Sequence, residues 1–180
     1  MLIARELRKT NIVEYILYMW QIEDSLRACS FNPETIEKQL VGRFSTDDVA
    51  RKEISGWYNN LAVMMEKEHV REKGHLQVIA NLVNDLNEFH LKMVEIQNDN
   101  DYVVLYRKNQ EAIREAMQKT ALDTENEVEA CLNALYGFMI LKLKSSEISP
   151  QTHQTIEAFA HQLGHLSARY LQFENDDFEF

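Results

Sequence analysis

Hydrophobic residues recur at helical spacing along most of the chain. In six long segments they return every three or four residues, which places them on one side of an α-helix. The segment from Leu76 to Met93 has the cleanest repeat, and the last segment, from Ile156 to Phe173, has the same rhythm. The pattern predicts an all-α protein.

The first of these segments, from about Asn11 to Ala28, is apolar over most of its circumference. Its narrow polar arc consists of Asn11, Glu14, Gln21, Ser25 and the amphipathic Tyr18. A helix that is apolar on several sides is contacted on several sides. We therefore expect this helix at the centre of a bundle.

Residues that favour helix ends mark the boundaries. The predicted N-cap residues are Asn32, Ser45 or Thr46, Asp123 or Thr124, and Ser149. Pro33 and Pro150 follow two of them and suit the first helical position. Gly74 is expected to end the third helix, because glycine favours the position just after a helix.

Glycine and proline are scarce, at five and two residues among 180. Such a composition favours long helices with short connections, and short connections join antiparallel neighbours. We expect one domain over residues 1–180, an antiparallel helical bundle of six long helices and one short helix. The acidic tail, about residues 174–180, is expected to fray.

The chain is acidic, with a net charge of −10 from 29 acidic and 19 basic residues. A field of this sign repels polyphosphates, and no basic face offsets it. We therefore expect neither nucleic acid nor a membrane as partner. The apolar runs fall far short of the roughly 20 residues that span a bilayer, and charge interrupts the first residues, so a cytoplasmic location is predicted.

The sequence contains no recognisable catalytic or cofactor-binding signature. Cys29 and Cys131 lack the spacing of a metal or redox pair. No glycine-rich phosphate loop and no Ser/His/Asp or Cys/His spacing is present. No cofactor is therefore predicted.

The sharpest chemical pattern is a row of residues four apart on the last helix: His153, Glu157, His161 and His165. His161 and His165 could bind one divalent metal ion, with Glu157 or a distant side chain completing the site. The helical wheel places both histidines away from the apolar stripe of their own helix, which favours a partly solvated face. A metal site at this row remains an alternative.

Two E-x-x-H motifs, Glu66 with His69 and Glu72 with His75, have the spacing used in carboxylate-bridged di-iron bundles. Those bundles take their two motifs from different helices. Here the helix end expected at Gly74 falls between Glu72 and His75, so both motifs are interpreted as parts of a charged helix end.

Several polar residues fall on apolar faces: His90 in the fourth helix, Asn109 in the fifth and Glu23 in the first. Burying such groups costs several kcal/mol unless each finds a partner. If His90, Asn109 and a carboxylate met, the resulting network could bind a small ligand. Alternatively, these residues fix the register of the helices, as buried asparagines do in coiled coils.

The N-terminal residues resemble a known family. Residues Met1–Ile12, then Glu14 and Tyr15, then Tyr18–Asp24 are similar to the start of uncharacterised bacterial proteins grouped as domain of unknown function 4924. The resemblance implies an all-helical fold and a bacterial, cytoplasmic origin. It implies no activity, substrate or catalytic residue.

The sequence therefore favours a non-enzymatic interaction or regulatory protein, whose partner is a second copy joined through a helix face or another protein. One alternative is a metal-dependent hydrolase or transferase of the helical-bundle kind that uses His161 and His165. Another is a small-ligand binder with its internal polar site around His90.

Overall fold

A computed structural model describes residues 2–119 and 126–179 of the chain. Within these ranges the protein forms eight α-helices and one 3-10 turn, and no strand. The helices are α1 (Leu2–Thr10), α2 (Ile12–Ala28), α3 (Pro33–Gln39), α4 (Asp48–Lys67), α5 (Gln77–Ile96), α6 (Asn100–Lys119), α7 (Glu127–Leu143) and α8 (Pro150–Glu174), with the 3-10 turn at Val41–Arg43. The predicted all-α helical bundle is confirmed.

Helix α1 was missed by the sequence analysis, which began the first helix at Asn11. It is a separate helix of nine residues, and its apolar Leu2 and Ile3 are exposed. A break at Asn11 separates it from α2. Ser167 stabilises this break, because its hydroxyl accepts from the Ile12 amide at 3.0 Å and donates to the Asn11 side chain at 3.0 Å.

Two predicted N-caps are confirmed. Asn32 accepts from the Thr35 amide at 3.0 Å, and Ser149 accepts from the Thr152 amide at 3.1 Å. Each satisfies a backbone donor that the first turn of a helix leaves free.

The start of α4 was predicted too early. Asp47, not Ser45 or Thr46, is its cap and accepts from the Ala50 amide at 2.8 Å. The caps proposed for the sixth long helix, Asp123 and Thr124, lie outside the described residues. Helix α7 begins after Asn126, which accepts from the Glu129 amide at 2.7 Å.

The end of α4 was predicted too late. The helix ends at Lys67 with Glu68 as its C-cap residue, well before Gly74. The chain after it is held by α2 instead, because Arg27 donates to the carbonyl oxygens of Val70 and Gly74. Glu68 is exposed and accepts from the Gln77 amide at 2.6 Å.

The chain divides into two compact units. Unit 1 contains the residues up to Arg8 together with Glu14–Asn81, and unit 2 contains Lys9–Val13 together with the residues from Leu82 onward. Buried apolar side chains of unit 1 include Ile16, Trp20, Leu26, Ile36, Met65 and Leu76. Those of unit 2 include Leu86, Met93, Tyr102, Leu132, Phe159 and Leu163. The single domain over residues 1–180 stays a prediction.

The tail after α8 makes contacts within unit 2. The ring of Phe178 lies 6.0 Å from that of Phe89, and Asn98 donates to the Glu179 carbonyl at 3.2 Å. These contacts place the tail beside α5 and the turn that follows it. As for the membrane, none of the described helices has the length and apolar character needed to cross one.

Candidate functional site

His90 lies in the interior of unit 2 and is 1% exposed. Its Nδ1 is 2.6 Å from the hydroxyl of Tyr102, and its Nε2 is 3.1 Å from Oε2 of Glu127. Helices α5, α6 and α7 each contribute one of these three side chains. The polar residue predicted on the apolar stripe of α5 therefore has two polar partners from neighbouring helices.

Asn109 belongs to the same network through Gln162 of α8. Its side-chain nitrogen donates to Oε1 of Gln162 at 3.0 Å and to the Ala158 carbonyl at 3.1 Å. Gln162 in turn hydrogen-bonds the phenol of Tyr102. The chain of hydrogen bonds thus runs from Asn109 through Gln162, Tyr102 and His90 to Glu127. We call these five residues the core network.

The core network has a defined direction. A backbone carbonyl can only accept a hydrogen bond, so the side-chain atom of Asn109 that contacts the Ala158 carbonyl must be its nitrogen. Gln162 then offers its oxygen to Asn109 and its nitrogen to Tyr102, and the Tyr102 hydroxyl must donate to Nδ1 of His90. When the ring is neutral, this direction places the proton of His90 on Nε2, which donates to the Glu127 carboxylate.

Glu127 ends the core network at the first residue of α7. Its Oε1 also accepts from the hydroxyl of Tyr106, at 3.2 Å. The hydrogen bond from His90 lowers the pKa of Glu127, and burial opposes this only in part. Burial raises the pKa of Tyr102 well above its ordinary value. The network therefore consists of a stable carboxylate and a phenol that stays protonated, an arrangement suited to holding helices together.

A second cluster in unit 2 is centred on Asp99, which precedes α6. Asp99 accepts from the Tyr102 amide at 3.0 Å, from Nε2 of His165 at 2.8 Å and from Nε of Arg169 at 2.7 Å. Burial alone would raise the pKa of Asp99, but these three donors outweigh it and lower the pKa to about 2. The cluster joins the start of α6 to α8.

His165 was expected on a partly solvated face of α8, and its pairing with Asp99 was not predicted. Its side chain is 22% exposed and points to Asp99. The helical wheel gives the angle of His165 from the apolar stripe of α8 alone. It therefore cannot show a contact with Asp99, which precedes α6.

The other members of the predicted metal row are separate from this cluster. His161 and Glu157 are exposed on α8, and the ring of His153 packs 4.9 Å from that of Phe138. Among the described residues, no group of three or more His, Cys, Asp or Glu side chains is placed to hold a metal ion. The metal site at His161, His165 and Glu157 stays a prediction.

Glu23 belongs to unit 1, whereas His90 and Asn109 belong to unit 2. Glu23 is 1% exposed and accepts from the Leu76 amide at 3.0 Å; its other oxygen lies 2.6 Å from Nδ1 of His75. The His75 ring stacks on Trp20, with the centroids 4.4 Å apart. Glu23 thus orients a histidine that the sequence analysis paired with Glu72.

Helix α7 carries an apolar surface that the chain leaves partly uncovered. Val128, Cys131 and Leu132 near its start are buried. In its second half no residue is buried, and Gly137 and Leu141 are exposed, Leu141 to 42%. From Ala130 to Leu141 the helix contains no charged residue.

The same helix lines a groove of about 570 Å³ between α6, α7 and α8. Five of the lining residues lie on one side of α7, and we call them the α7 face: Ala130, which is buried, and Ala134, Gly137, Phe138 and Leu141. Ala112 and Ala116 of α6 lie opposite and are equally small. Asn133 also lines the groove, and its side-chain nitrogen is buried with no hydrogen-bond partner in the described part of the chain.

Within the residues that the structure describes, fold and site together define an all-α protein with hydrogen-bonded internal polar clusters and a groove lined by both apolar and polar side chains. The family model for the domain of unknown function DUF4924 matches residues 1–177. The chain belongs to this family, as the N-terminal resemblance predicted. Comparisons with curated proteins and with solved structures found no match.

Proposed function

We propose that the protein is a non-enzymatic interaction module that associates with a second copy of itself through the α7 face. The observation that carries this proposal is the uncharged stretch Ala130–Leu141, whose second half lies at the surface beside a groove. A helix that is apolar on all sides is normally buried on all sides. The second half of α7 departs from this rule in the isolated chain.

Exposed apolar surface of this kind favours a protein partner. A patch with polar surroundings is typical of interaction sites, because covering it removes apolar area from water. The chain as a whole carries a net charge of −10, so two copies repel each other at most orientations. The stretch from Ala130 to Leu141 adds nothing to this repulsion, since it has no charged residue.

The state of the internal polar residues supports a non-enzymatic role. His90 and Asn109 are joined by hydrogen bonds to other members of the core network, and none of the five members lines the groove. Most such internal networks specify structure rather than chemistry. The core network is therefore read as the support that holds α6, α7 and α8 around the groove.

Sedimentation velocity of matched variants tests the proposal. Leu141→Glu places a charge on the α7 face, and Leu91→Glu is the control, because Leu91 is exposed to a similar degree, 51%, on α5. We expect the wild type and L91E to sediment as dimers and L141E as a monomer, with unchanged helicity in all three. Dimers of L141E as stable as those of the wild type would refute the role of this face.

A further inference from the structure

The residues that follow α8 turn back onto unit 2. The Asp177 amide donates to the Gln172 carbonyl at 2.8 Å, and the Asp176 amide donates to the Phe173 carbonyl at 3.2 Å. These are the two hydrogen bonds of a Schellman motif, and Asp176 has the left-handed conformation that the motif requires, with φ +61°. The motif ends the helix, and residues 175–179, which we call the tail, leave its axis.

Three side chains hold the tail: Phe89 of α5, Asn98 after α5 and Arg169 of α8. The ring of Phe178 lies 6.0 Å from that of Phe89, and the guanidinium carbon of Arg169 lies over the Phe178 ring at 5.7 Å from its centroid. Asn98 donates to the Glu179 carbonyl at 3.2 Å. We call Phe89, Asn98 and Arg169 the tail site.

The tail site recognises an aromatic ring and the main chain beside it. A guanidinium over a ring adds attraction to the burial of the ring itself. Asp99 and Gln172 hold that guanidinium in place, at 2.7 and 2.9 Å, so the site is organised before the ring arrives. The acidic residues on either side of Phe178 are exposed, so binding such a segment does not bury their charges.

The tail is weakly held. Of its residues only Phe178 is partly buried, and the other four are exposed. Asp176, Asp177 and Glu179 carry negative charge in a chain whose net charge is −10, so repulsion opposes the docking of the tail. Segments with few buried apolar contacts open at a small cost in free energy. The tail therefore leaves its site without unfolding unit 2.

We infer that the tail site is a second interaction site, for a segment of another protein in which phenylalanine is flanked by acidic residues. The tail occupies the site in cis until such a segment displaces it. The tail site shares no residue with the α7 face, so the inference goes beyond the proposed self-association. A segment tethered this closely has an effective concentration of the order of millimolar, so the tail excludes weak ligands.

A labelled peptide with the sequence of residues 174–180 is the probe, and fluorescence anisotropy measures its binding to full-length chains. Phe178→Ala removes the anchor of the tail in cis. We expect this variant to bind the peptide at least about tenfold more tightly than the wild type does, because the tethered competitor is lost. Val49→Ala is the matched control, since Val49 is 70% exposed on α4, and it should bind as weakly as the wild type.

Two further titrations locate the binding. A peptide with alanine in place of Phe178 should not bind. Asn98→Ala, added to the Phe178→Ala chain, should weaken binding of the unchanged peptide severalfold, because the donor to the peptide carbonyl is lost.

Three results would overturn the inference. The first is a Phe178→Ala chain, folded by circular dichroism, that binds the peptide no more tightly than the wild type does. The second is equal binding of the peptide that lacks the phenylalanine ring. The third is binding that Asn98→Ala leaves unchanged, since the peptide would then lie elsewhere on the chain.

Discussion

The hydroxyl of Tyr102 lies 2.6 Å from Nδ1 of His90, and this contact joins the two halves of the core network. On one side it continues through Gln162 to Asn109, and on the other through His90 to Glu127. The direction of the whole chain follows from the Ala158 carbonyl at one end and the carboxylate at the other. One phenol thereby couples residues of α5, α6, α7 and α8.

Removing that hydroxyl should be costly. Tyr102→Phe leaves Nδ1 of His90 and the nitrogen of Gln162 without their partner in the interior, and an unsatisfied buried group costs about 1–3 kcal/mol. We expect the free energy of unfolding, measured in urea, to fall by at least 2 kcal/mol. Tyr106→Phe is the control, since its hydroxyl is only part-buried; an equal loss in both variants would contradict the account.

The direction of the network also predicts the tautomer of His90. With Tyr102 donating to Nδ1, the neutral ring must carry its proton on Nε2. Nitrogen chemical shifts from long-range ¹H–¹⁵N correlation spectra at mildly alkaline pH distinguish the two tautomers. A proton on Nδ1 would mean that the hydrogen bonds run in the opposite direction.

The lowered pKa of Asp99 predicts that the protein loses stability in acid. Its pKa is lowered to about 2 from an ordinary value of 3.8, so its contribution to stability is complete above about pH 4 and disappears as the pH falls toward 2. A shift of this size corresponds to about 2 kcal/mol.

We expect Asp99→Asn to reduce the free energy of unfolding at pH 7 by about that amount and to flatten its decline between pH 4 and pH 2. Denaturant titrations at a series of pH values measure both effects. A variant whose acid decline is as steep as that of the wild type would exclude Asp99 as a principal cause.

Replacement by alanine should have opposite effects on stability at Gly74 and at Gly56. Gly74 has φ +85°, a conformation that disfavours a side chain, so Gly74→Ala should lower stability by about 1 kcal/mol. Gly56 lies within α4 with open space around it, so Gly56→Ala should raise stability by up to about 1 kcal/mol. Thermal unfolding compares the stability of the two variants with that of the wild type. A Gly74→Ala variant more stable than the wild type would contradict the strain expected for alanine at this φ.

The helices were predictable because their signal is local. Periodicity marks the interior of an element, and a cap such as Asn32 or Ser149 satisfies backbone amides of its own first turn. Helix α4 ends instead in a turn at His69, whose φ is +59°, and there the Val70 amide donates to the Met65 carbonyl. The segment after this turn is held by Arg27, which is far away in sequence and donates to the carbonyl oxygens of Val70 and Gly74. From the sequence alone, a glycine in such a loop cannot be distinguished from a glycine that ends a helix.

The site was predictable only in part, for the same reason. His90 and Asn109 were identified because a polar residue interrupts an apolar stripe. Glu127 was missed because an acidic residue in the first turn of a helix is commonplace at the surface. Gln162 was missed because its contact with Tyr102 is set by tertiary packing, which the sequence of α8 does not show.

The mass of the wild-type chain in solution tests the central claim, self-association through α7, most directly. One chain has a mass of 21.1 kDa. Light scattering behind size exclusion at micromolar concentration should give twice that value, and the mass should fall toward that of one chain in L141E. A wild-type mass near 21.1 kDa at every concentration up to the limit of solubility would contradict the account.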